Sequence, residues 1–388
     1  VPRRRILHVI ETLGHGGAEH QLAVITERLD RDRFESVVCH LHEPSHLADR
    51  IRARGVPVYG LGLPRTRRAW PTAVGPIARL IREVRPDLVH TSLFEADMVG
   101  GAAARLMGVP AINTLCNVGG EKEKLLDNSH MSWPKLWAHS RLWGAAMRTL
   151  HRHSIAISRA VMRSAEETYG RDPARMSLVY RAYLEQPEDS SPGTLDALRA
   201  ELAVGDAEPL LLNVGRLAPQ KGQRYLIRAL PEIVRAHPRA LLLVVGEGWL
   251  RPELEAEVRA VGMEGHVRFL GRRQDTRRLM LLADQFVFPS LFEGLGVALV
   301  EAAGLGRPTI ASDVGPIPEV IEHERSGLLV PPQDPAALAR AIIRLAGDPV
   351  RAQALGAAAR ARIAEEFSIE RMIAALESVY ERALEGHG

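Results

Sequence analysis

The chain has 388 residues, 46% of them hydrophobic and 25% charged, which points to two globular domains and excludes a disordered or fibrous chain. Cys39 and Cys116, the only cysteines, exclude a disulfide framework and a Cys-rich zinc module, and no apolar run approaches the ~20 residues of a spanning helix. The net charge of +3 is uneven: residues 1–182 hold 27 Lys and Arg against 18 Asp and Glu, a net of +9, and the remainder holds 23 against 29, a net of −6.

The opening arginines lead into "ILHVI" (6–10). That run is too short for a signal-peptide core and predicts a first buried strand. Further strands are predicted at 36–41, 57–61, 87–91, 111–115, 154–158 and 176–180, with helix-length amphipathic segments between most of them. This alternation predicts a doubly wound parallel sheet. "LDRDRF" contains Asp30-Arg31-Asp32, which mimics a metal-binding DxD but sits where a polar turn should join a helix to a strand. "MSWPKLWAHSRLWGAAMRTLHRH" (131–153) interleaves Trp133, Trp137 and Trp143 with Lys135, Arg141 and Arg148. It suits a membrane interface, or helices whose tryptophans pack inward. His151 and His153 flank one arginine and read as surface residues, and none of the 15 histidines falls in an HExxH spacing.

At 183–207 the pattern breaks into a polar, Pro- and Ser-rich stretch that reads as an interdomain linker. Alternation restarts with strands at 209–215, 240–246, 266–271, 285–290, 308–312 and 327–331, and the tail is helical. The expected domains are therefore 1–182, 208–366, and a final helix within 367–388. Two such α/β domains facing each other form a cleft, and ligands of parallel sheets bind outside the carboxyl ends of the strands.

Two motifs carry chemistry. In "GRLAPQKGQRYLIRAL" (215–230), Arg216 and Lys221 leave a strand on a Gly/Pro loop just before a helix. Cations and free helix-end N–H groups together suit a diphosphate, though an ordinary basic loop would look the same. No GxxxxGK[ST] pattern is present. In "LFEGLGVALVEAAGLGRP" (291–308), Glu293 precedes the helix start and Glu301 lies one turn inside it. Helical side chains lean toward the N-terminus, so Glu301 can meet a ribose diol while Glu293 meets sugar hydroxyls. The backbone of Gly294, Leu295, Gly296 and Val297 is open to phosphate or sugar oxygens.

At these residues the C-terminal half resembles the family-4-type glycosyltransferases of group 1, which have the GT-B fold. "NVGRLAPQKG", "VVGEGWLRPELE", "VRFLGR", "PSLFEGLGVALVEAAGLGRPTIASDVGPIPEVI" and "SGLLVPPQDPAALARAI" stand in the family's order, with its E-x7-E spacing. The N-terminal half resembles the family more weakly. "TLGHGGAEHQL" looks like its Gly-rich loop, with Gly16 and Gly17 facing donor phosphates. A dinucleotide site with Glu43 as ribose acid is the alternative there. The final helix resembles the segment that crosses back onto the N-terminal domain.

The resemblance implies transfer of a sugar from a nucleoside diphosphate-sugar, a UDP-sugar being favoured, to a glycan, lipid-linked or small-molecule hydroxyl. It implies retention of configuration, no metal, and no cofactor beyond the donor substrate. Arg216, Lys221 and Glu293 are the expected catalytic residues. Gly16, Gly17, Gly215, Arg216, Lys221, Gly246, Glu293, Gly294, Leu295, Gly296, Val297 and Glu301 are the expected donor-binding residues. His90, Cys116 and Asn117 are candidate acceptor or sugar contacts.

The chain departs from the family at Cys116 and Ser92, where many relatives carry histidines, and at Arg181-Ala182, which replaces Asn-Gly. A nucleotide-sugar epimerase, a non-catalytic nucleotide-sugar-binding relative and a two-carboxylate glycoside hydrolase are the rival functions. The hydrolase has no use for Arg216 and Lys221. The expected location is the cytoplasm. The basic N-terminal domain could touch the inner membrane face, and no nucleic acid partner is expected.

Overall fold

A computed structural model describes residues 3–14, 16–64, 70–118, 133–183 and 191–385. The chain divides into two compact units: unit 1 runs up to Ala182 and takes in Ile369 onward, and unit 2 is Tyr183–Ser368. Unit 1 holds strands β1 (Arg4–Ile10), β2 (Phe34–His40), β3 (Val58–Gly60), β4 (Leu88–Ser92), β5 (Ala111–Leu115), β6 (His153–Ala156) and β7 (Met176–Leu178). They form one sheet in the order β3-β2-β1-β4-β5-β6-β7, every pair parallel. Unit 2 holds β8 (Leu210–Val214), β9 (Leu241–Val245), β10 (Val267–Gly271), β11 (Gln285–Phe288), β12 (Thr309–Ser312) and β13 (Leu328–Val330). Their order is β10-β9-β8-β11-β12-β13, again all parallel. Both are Rossmann-like, as the strand–helix alternation predicts.

These residues form these elements for local reasons. The unit 2 strands β8, β9 and β11 are short Leu/Val/Phe-rich runs covered on both faces, as central parallel strands must be. The helix Gln223–Ala236 buries Leu226, Ile227, Leu230 and Ile233 completely, at one helical stripe. Each such side chain contributes about 1.5–3 kcal/mol, so Leu230→Ala would cost about 2–5 kcal/mol. Ser158, Asp334 and Asp348 start helices by accepting from Val161 N, Ala337 N and Arg351 N, and proline follows Asp334 and Asp348 at the first helical position.

Three expectations change. The polar stretch 183–207 carries a helix, Pro192–Glu201, packed against the helix Thr276–Leu282, so its described part is structured within unit 2; residues 184–190 lie outside the described residues. His151 is a core residue at 2% exposure, not a surface one, and His153 is half-buried. The tryptophans of the helix Trp133–Leu150 split: Trp143 turns inward against Phe94 and Tyr169, and Trp137 stays 43% exposed beneath Arg141. The side chain of Trp133 is outside the described residues.

The Asp30-Arg31-Asp32 segment is an exposed turn, with Asp30 Oδ1 accepting from Asp32 N at 2.9 Å. The final helix, Ile369–Glu385, belongs to unit 1. Its Tyr380 is fully buried and its Glu377 accepts from Asp30 N and Arg33. Among the described residues, no helix is long and apolar enough to cross a membrane.

Candidate functional site

In unit 2 the strand order runs outward in both directions from the β8–β11 pair, so the loops after β8 and β11 leave the sheet at its switch point. These are the loops that carry Arg216, Lys221 and Glu293. Gly222 brings them into backbone contact. Its φ is 63°, and a Cβ there would stand 2.0 Å from Pro289 O, so only glycine fits. The loops then interlock. Leu291 N donates to Gln220 O at 2.8 Å, and Gln220 Nε2 donates to Phe292 O at 3.0 Å. One residue further along each loop, Lys221 Nζ meets Glu293 Oε1 at 2.6 Å.

The Lys221–Glu293 pair is largely shielded, the side chains being 18% and 6% exposed. Lys221 also lies over the Phe288 ring, 5.5 Å from its centroid. An ammonium has three N–H groups, and Glu293 takes one. Arg216 is exposed. Its Nη2 donates to Gln220 Oε1 at 3.3 Å and its guanidinium stacks over Trp249 at 5.2 Å. Gly246, with φ 134°, lets the end of β9 close on this loop, since a Cβ would fall 2.0 Å from Gly215 O. Gly215 in turn packs against the Lys221 stem.

The helix Val297–Gly304 follows, with Gly296 as its N-cap and no side chain capping its first turn. Its leading N–H groups therefore keep their dipole and donor capacity. Leu295 is buried, so only its backbone is available beside Gly294. Glu301, one turn in, is half-buried and accepts no hydrogen bond among the described residues. Burial pushes its carboxyl up, an effect the Arg277 guanidinium partly opposes. Arg216, Lys221 and Glu293 thus form one cluster, and Glu301 stands apart from it on the adjoining helix. The sequence did not reveal that Lys221 and Glu293 pair with each other, nor that Gln220 and Trp249 hold Arg216. The only textual signal was their place in "APQKG" and "GEGWL".

Unit 1 arranges its polar residues differently. The helix Gly17–Arg28 starts at Gly16, where a Cβ would meet the Glu19 carboxylate at 2.3 Å, and Glu19 is held by Thr12 Oγ1 at 2.9 Å. Glu43 is exposed. His90 is 4% exposed and both ring nitrogens are engaged, Nδ1 with Tyr380 OH and Nε2 with Thr114 Oγ1, each at 2.7 Å. Burial lowers its pKa to about 4, so the ring is neutral. Cys116 and Asn117 follow β5, the first half-buried and the second exposed. Two of the family departures touch: Arg181 Nη2 donates to Cys116 Sγ at 2.9 Å. Burial raises the Cys116 thiol, against the pull of Arg181.

Behind this rim lies a buried carboxylate that the sequence did not single out. Asp97 is fully buried and accepts from Thr91 Oγ1 at 2.5 Å, Asn113 Nδ2 at 3.0 Å and Trp143 Nε1 at 3.3 Å. Burial pushes its pKa up to about 7 despite these bonds. His151 joins through Thr91 at 3.1 Å, its pKa lowered to about 3 by burial. Among the described residues, no three His, Cys, Asp or Glu gather in a way that could hold a metal ion.

Comparison with known proteins identifies the family. Residues 208–348 match the model of the glycosyl transferases group 1, and residues 15–183 match that of Glycosyltransferase Family 4. A glycogen synthase of Mycobacterium tuberculosis is 30% identical over 315 residues, 79% of this chain and 71% of that one. A GDP-mannose-dependent monoacylated alpha-(1-6)-phosphatidylinositol monomannoside mannosyltransferase of Corynebacterium glutamicum is 34% identical over 225 residues, 56% of this chain and 58% of its own length. In fold, the chain is similar to the Anabaena protein HepE crystallised with UDP and glucose, at a TM-score of 0.82 and 23% identity, over 98% of this chain and 100% of that one. The chain belongs to the family-4-type glycosyltransferases of group 1, as a hexosyltransferase built from two parallel-sheet Rossmann-like domains of the GT-B fold.

Proposed function

We propose that unit 2 binds a nucleoside diphosphate-sugar, a UDP-sugar being favoured, and that its hexosyl group passes to a hydroxyl of a glycan, lipid-linked or small-molecule acceptor. One observation carries the reading: Lys221 and Glu293 meet at 2.6 Å on the two loops of the unit 2 switch point, with Arg216 tied into the same cluster. The HepE structure, which carries UDP, supports the choice of base. A corynebacterial relative named as GDP-mannose-dependent makes a GDP-sugar the first alternative to test.

In this reading, negative charge grows on the β-phosphate as the glycosidic bond breaks. Lys221, Arg216 and the uncapped first turn of the helix Val297–Gly304 are positive before the reaction begins. Such preorganised charge lowers a barrier without reorganisation at the moment of reaction. Glu293 orients Lys221 and takes sugar hydroxyls with its second oxygen. Glu301, which accepts no hydrogen bond among the described residues, takes the ribose diol. Gly215, Gly246 and Gly294 offer close backbone approach, the N–H groups of Gly215 and Gly246 being already given to Val245 O and Gly271 O, and Gly296 and Val297 stand at the uncapped first turn of the helix. No step calls on a metal, and the configuration of the transferred sugar is retained. Within unit 1, Cys116 and Asn117 are the proposed acceptor or sugar contacts, and His90 supports them through Thr114.

The test is incubation with UDP- and GDP-sugars, with and without candidate acceptors, with EDTA present or absent. Acceptor-dependent release of the nucleoside diphosphate, unchanged by EDTA, is expected. An isomerised nucleotide-sugar would instead make the chain an epimerase, and binding without turnover a non-catalytic relative. NMR of the product gives the anomeric outcome.

A further inference from the structure

We propose that Gln220 is a positioning residue for sugar transfer, one that fixes Arg216 to the loop bearing Glu293. The inference rests on the donor site described above and adds a residue to it. Gln220 is 7% exposed and belongs to the 3-10 turn Pro219–Lys221, immediately before the lysine. Its backbone carbonyl accepts from Leu291 N at 2.8 Å and its Nε2 donates to Phe292 O at 3.0 Å. Together these bonds pin the two residues that precede Glu293. Its Oε1 accepts from Arg216 Nη2 at 3.3 Å. One side chain therefore links the arginine of the β8 loop to the carboxylate loop after β11.

The chemistry of the amide explains why this residue type stands there. The link needs an acceptor facing a guanidinium and a donor facing a carbonyl on the same short group. A primary amide offers both at once. A glutamate keeps the acceptor but turns an oxygen toward Phe292 O, and a lysine has nothing for Arg216 to donate to. Asparagine is one methylene short of the span. A second glutamine holds the other end of the arginine, Gln223 Nε2 donating to Arg216 O at 3.1 Å, but it touches the backbone and not the guanidinium. The exposed Arg216 head donates to Gln220 Oε1 and stacks on the Trp249 face, so Gln220 ties that charge to the loop bearing Glu293. Because Gln220 is shielded from water, its bonds meet little competition from solvent.

A misplaced charge at a reacting centre costs turnover more than affinity, since the transition state depends on geometry that the ground state tolerates losing. Gln220→Met keeps the shape and removes both side-chain bonds. It should lower kcat about tenfold or more, with the donor KM and the Kd for UDP changed less than about threefold. The deciding measurement is a double-mutant cycle. In an Arg216→Ala background, Gln220→Met should cost little further turnover, because the residue it positions is gone. Gln220→Glu keeps the Arg216 contact and should recover part of the lost kcat.

Equal losses from Gln220→Met in both backgrounds would overturn the proposal and leave Gln220 a fold residue. So would a loss of UDP affinity matching the loss of kcat. Should Gln220→Met prove insoluble, Gln220→Leu, which also lacks both amide bonds, carries the same cycle with Arg216→Ala. If Arg216→Ala itself leaves turnover unchanged while the parent protein is active, the donor-site reading fails and the role of Gln220 falls with it, whereas equal losses in the two backgrounds overturn the role of Gln220 alone.

Discussion

The two switch points of this chain, β1–β4 in unit 1 and β8–β11 in unit 2, are the same topological feature put to opposite use. In unit 1 the polar side chains near the switch point are bound to each other. Asp97 holds three donors, His90 has both nitrogens occupied, and His42 Nε2 lies 2.5 Å from Glu95 Oε2. In unit 2 the charged groups of the cluster are only partly satisfied among the described residues. Lys221 makes one of three bonds, Glu301 makes none among the described residues, and the adjoining helix has no side-chain cap. A parallel sheet therefore supplies a place for a ligand, and the degree to which its polar groups are already satisfied decides how much binding capacity is left.

The largest test of this contrast is Lys221→Ala. Losing a preorganised cation should lower kcat by about 10²–10³, and Arg216→Ala should fall in the same direction. Circular dichroism has to show a folded chain, because the lysine also neutralises a buried Glu293. Turnover within threefold of the parent in both variants would remove the cluster from the chemistry.

Next in size is the pH response of unit 1. The Asp97 pKa is about 7 in the fold and about 3.9 in an unfolded chain. Between those values the unfolded chain gives up the proton and the fold retains it, so Asp97 withdraws stability as pH rises through that window. Its contribution is full below about pH 4 and gone above about pH 7. Asp97→Asn should remove this slope, as read from hydrogen exchange of the β4 and β5 amides across the range. An unchanged slope would mean that the carboxyl ionises freely inside the fold. The unit 2 amides should not respond to the substitution.

A smaller effect is expected at Glu301. Replacing it with glutamine keeps the size and removes the charge, and a hydrogen bond to a charged group contributes about 1.5–3 kcal/mol. The Kd for UDP, measured by calorimetry, should rise about tenfold or somewhat more. A Kd equal to the parent's would leave Glu301 as a half-buried carboxylate with no ligand.

Much of this was readable in the sequence because parallel strands leave a plain trace. Among the described residues, each of the thirteen strands corresponds to a short apolar run ended by glycine, proline or a polar turn, and each was expected within a few residues of its place. The donor loops were visible for a related reason: charges and glycines at a strand's end have few other uses. What stayed hidden depends on direction. "FEADM" looks like an ordinary helix start, and nothing in it says that Asp97 turns inward while Glu95 meets His42. His151 reads as polar because Arg152 and His153 follow it directly, yet the ring faces Thr91. The helix Pro192–Glu201 was masked by a stretch whose Pro and Ser suggest a linker, although the same two residues, as Ser191 and Pro192, are also a common way to start a helix. Pairings such as Lys221 with Glu293, 72 residues apart, leave no mark in composition at all.

The mildest perturbation asks whether unit 1 is scaffold throughout. Tyr380→Phe removes one hydroxyl from the final helix and leaves His90 Nδ1 without a partner in the core. The ring keeps Thr114, so the loss should be about 1–2 kcal/mol of unit 1 stability, seen as a lower midpoint in denaturant. A scaffold role predicts that the Kd for UDP stays the same and that kcat moves only where the chain begins to unfold. Pairing Tyr380→Phe with His90→Phe separates the two cases, since both changes remove the same bond and their stability costs should not add. If kcat drops in the single variants while the denaturation midpoint stays put, His90 acts on the reaction through Thr114 and Cys116. The contrast between a satisfied unit 1 and an open unit 2 would then hold for binding but not for catalysis.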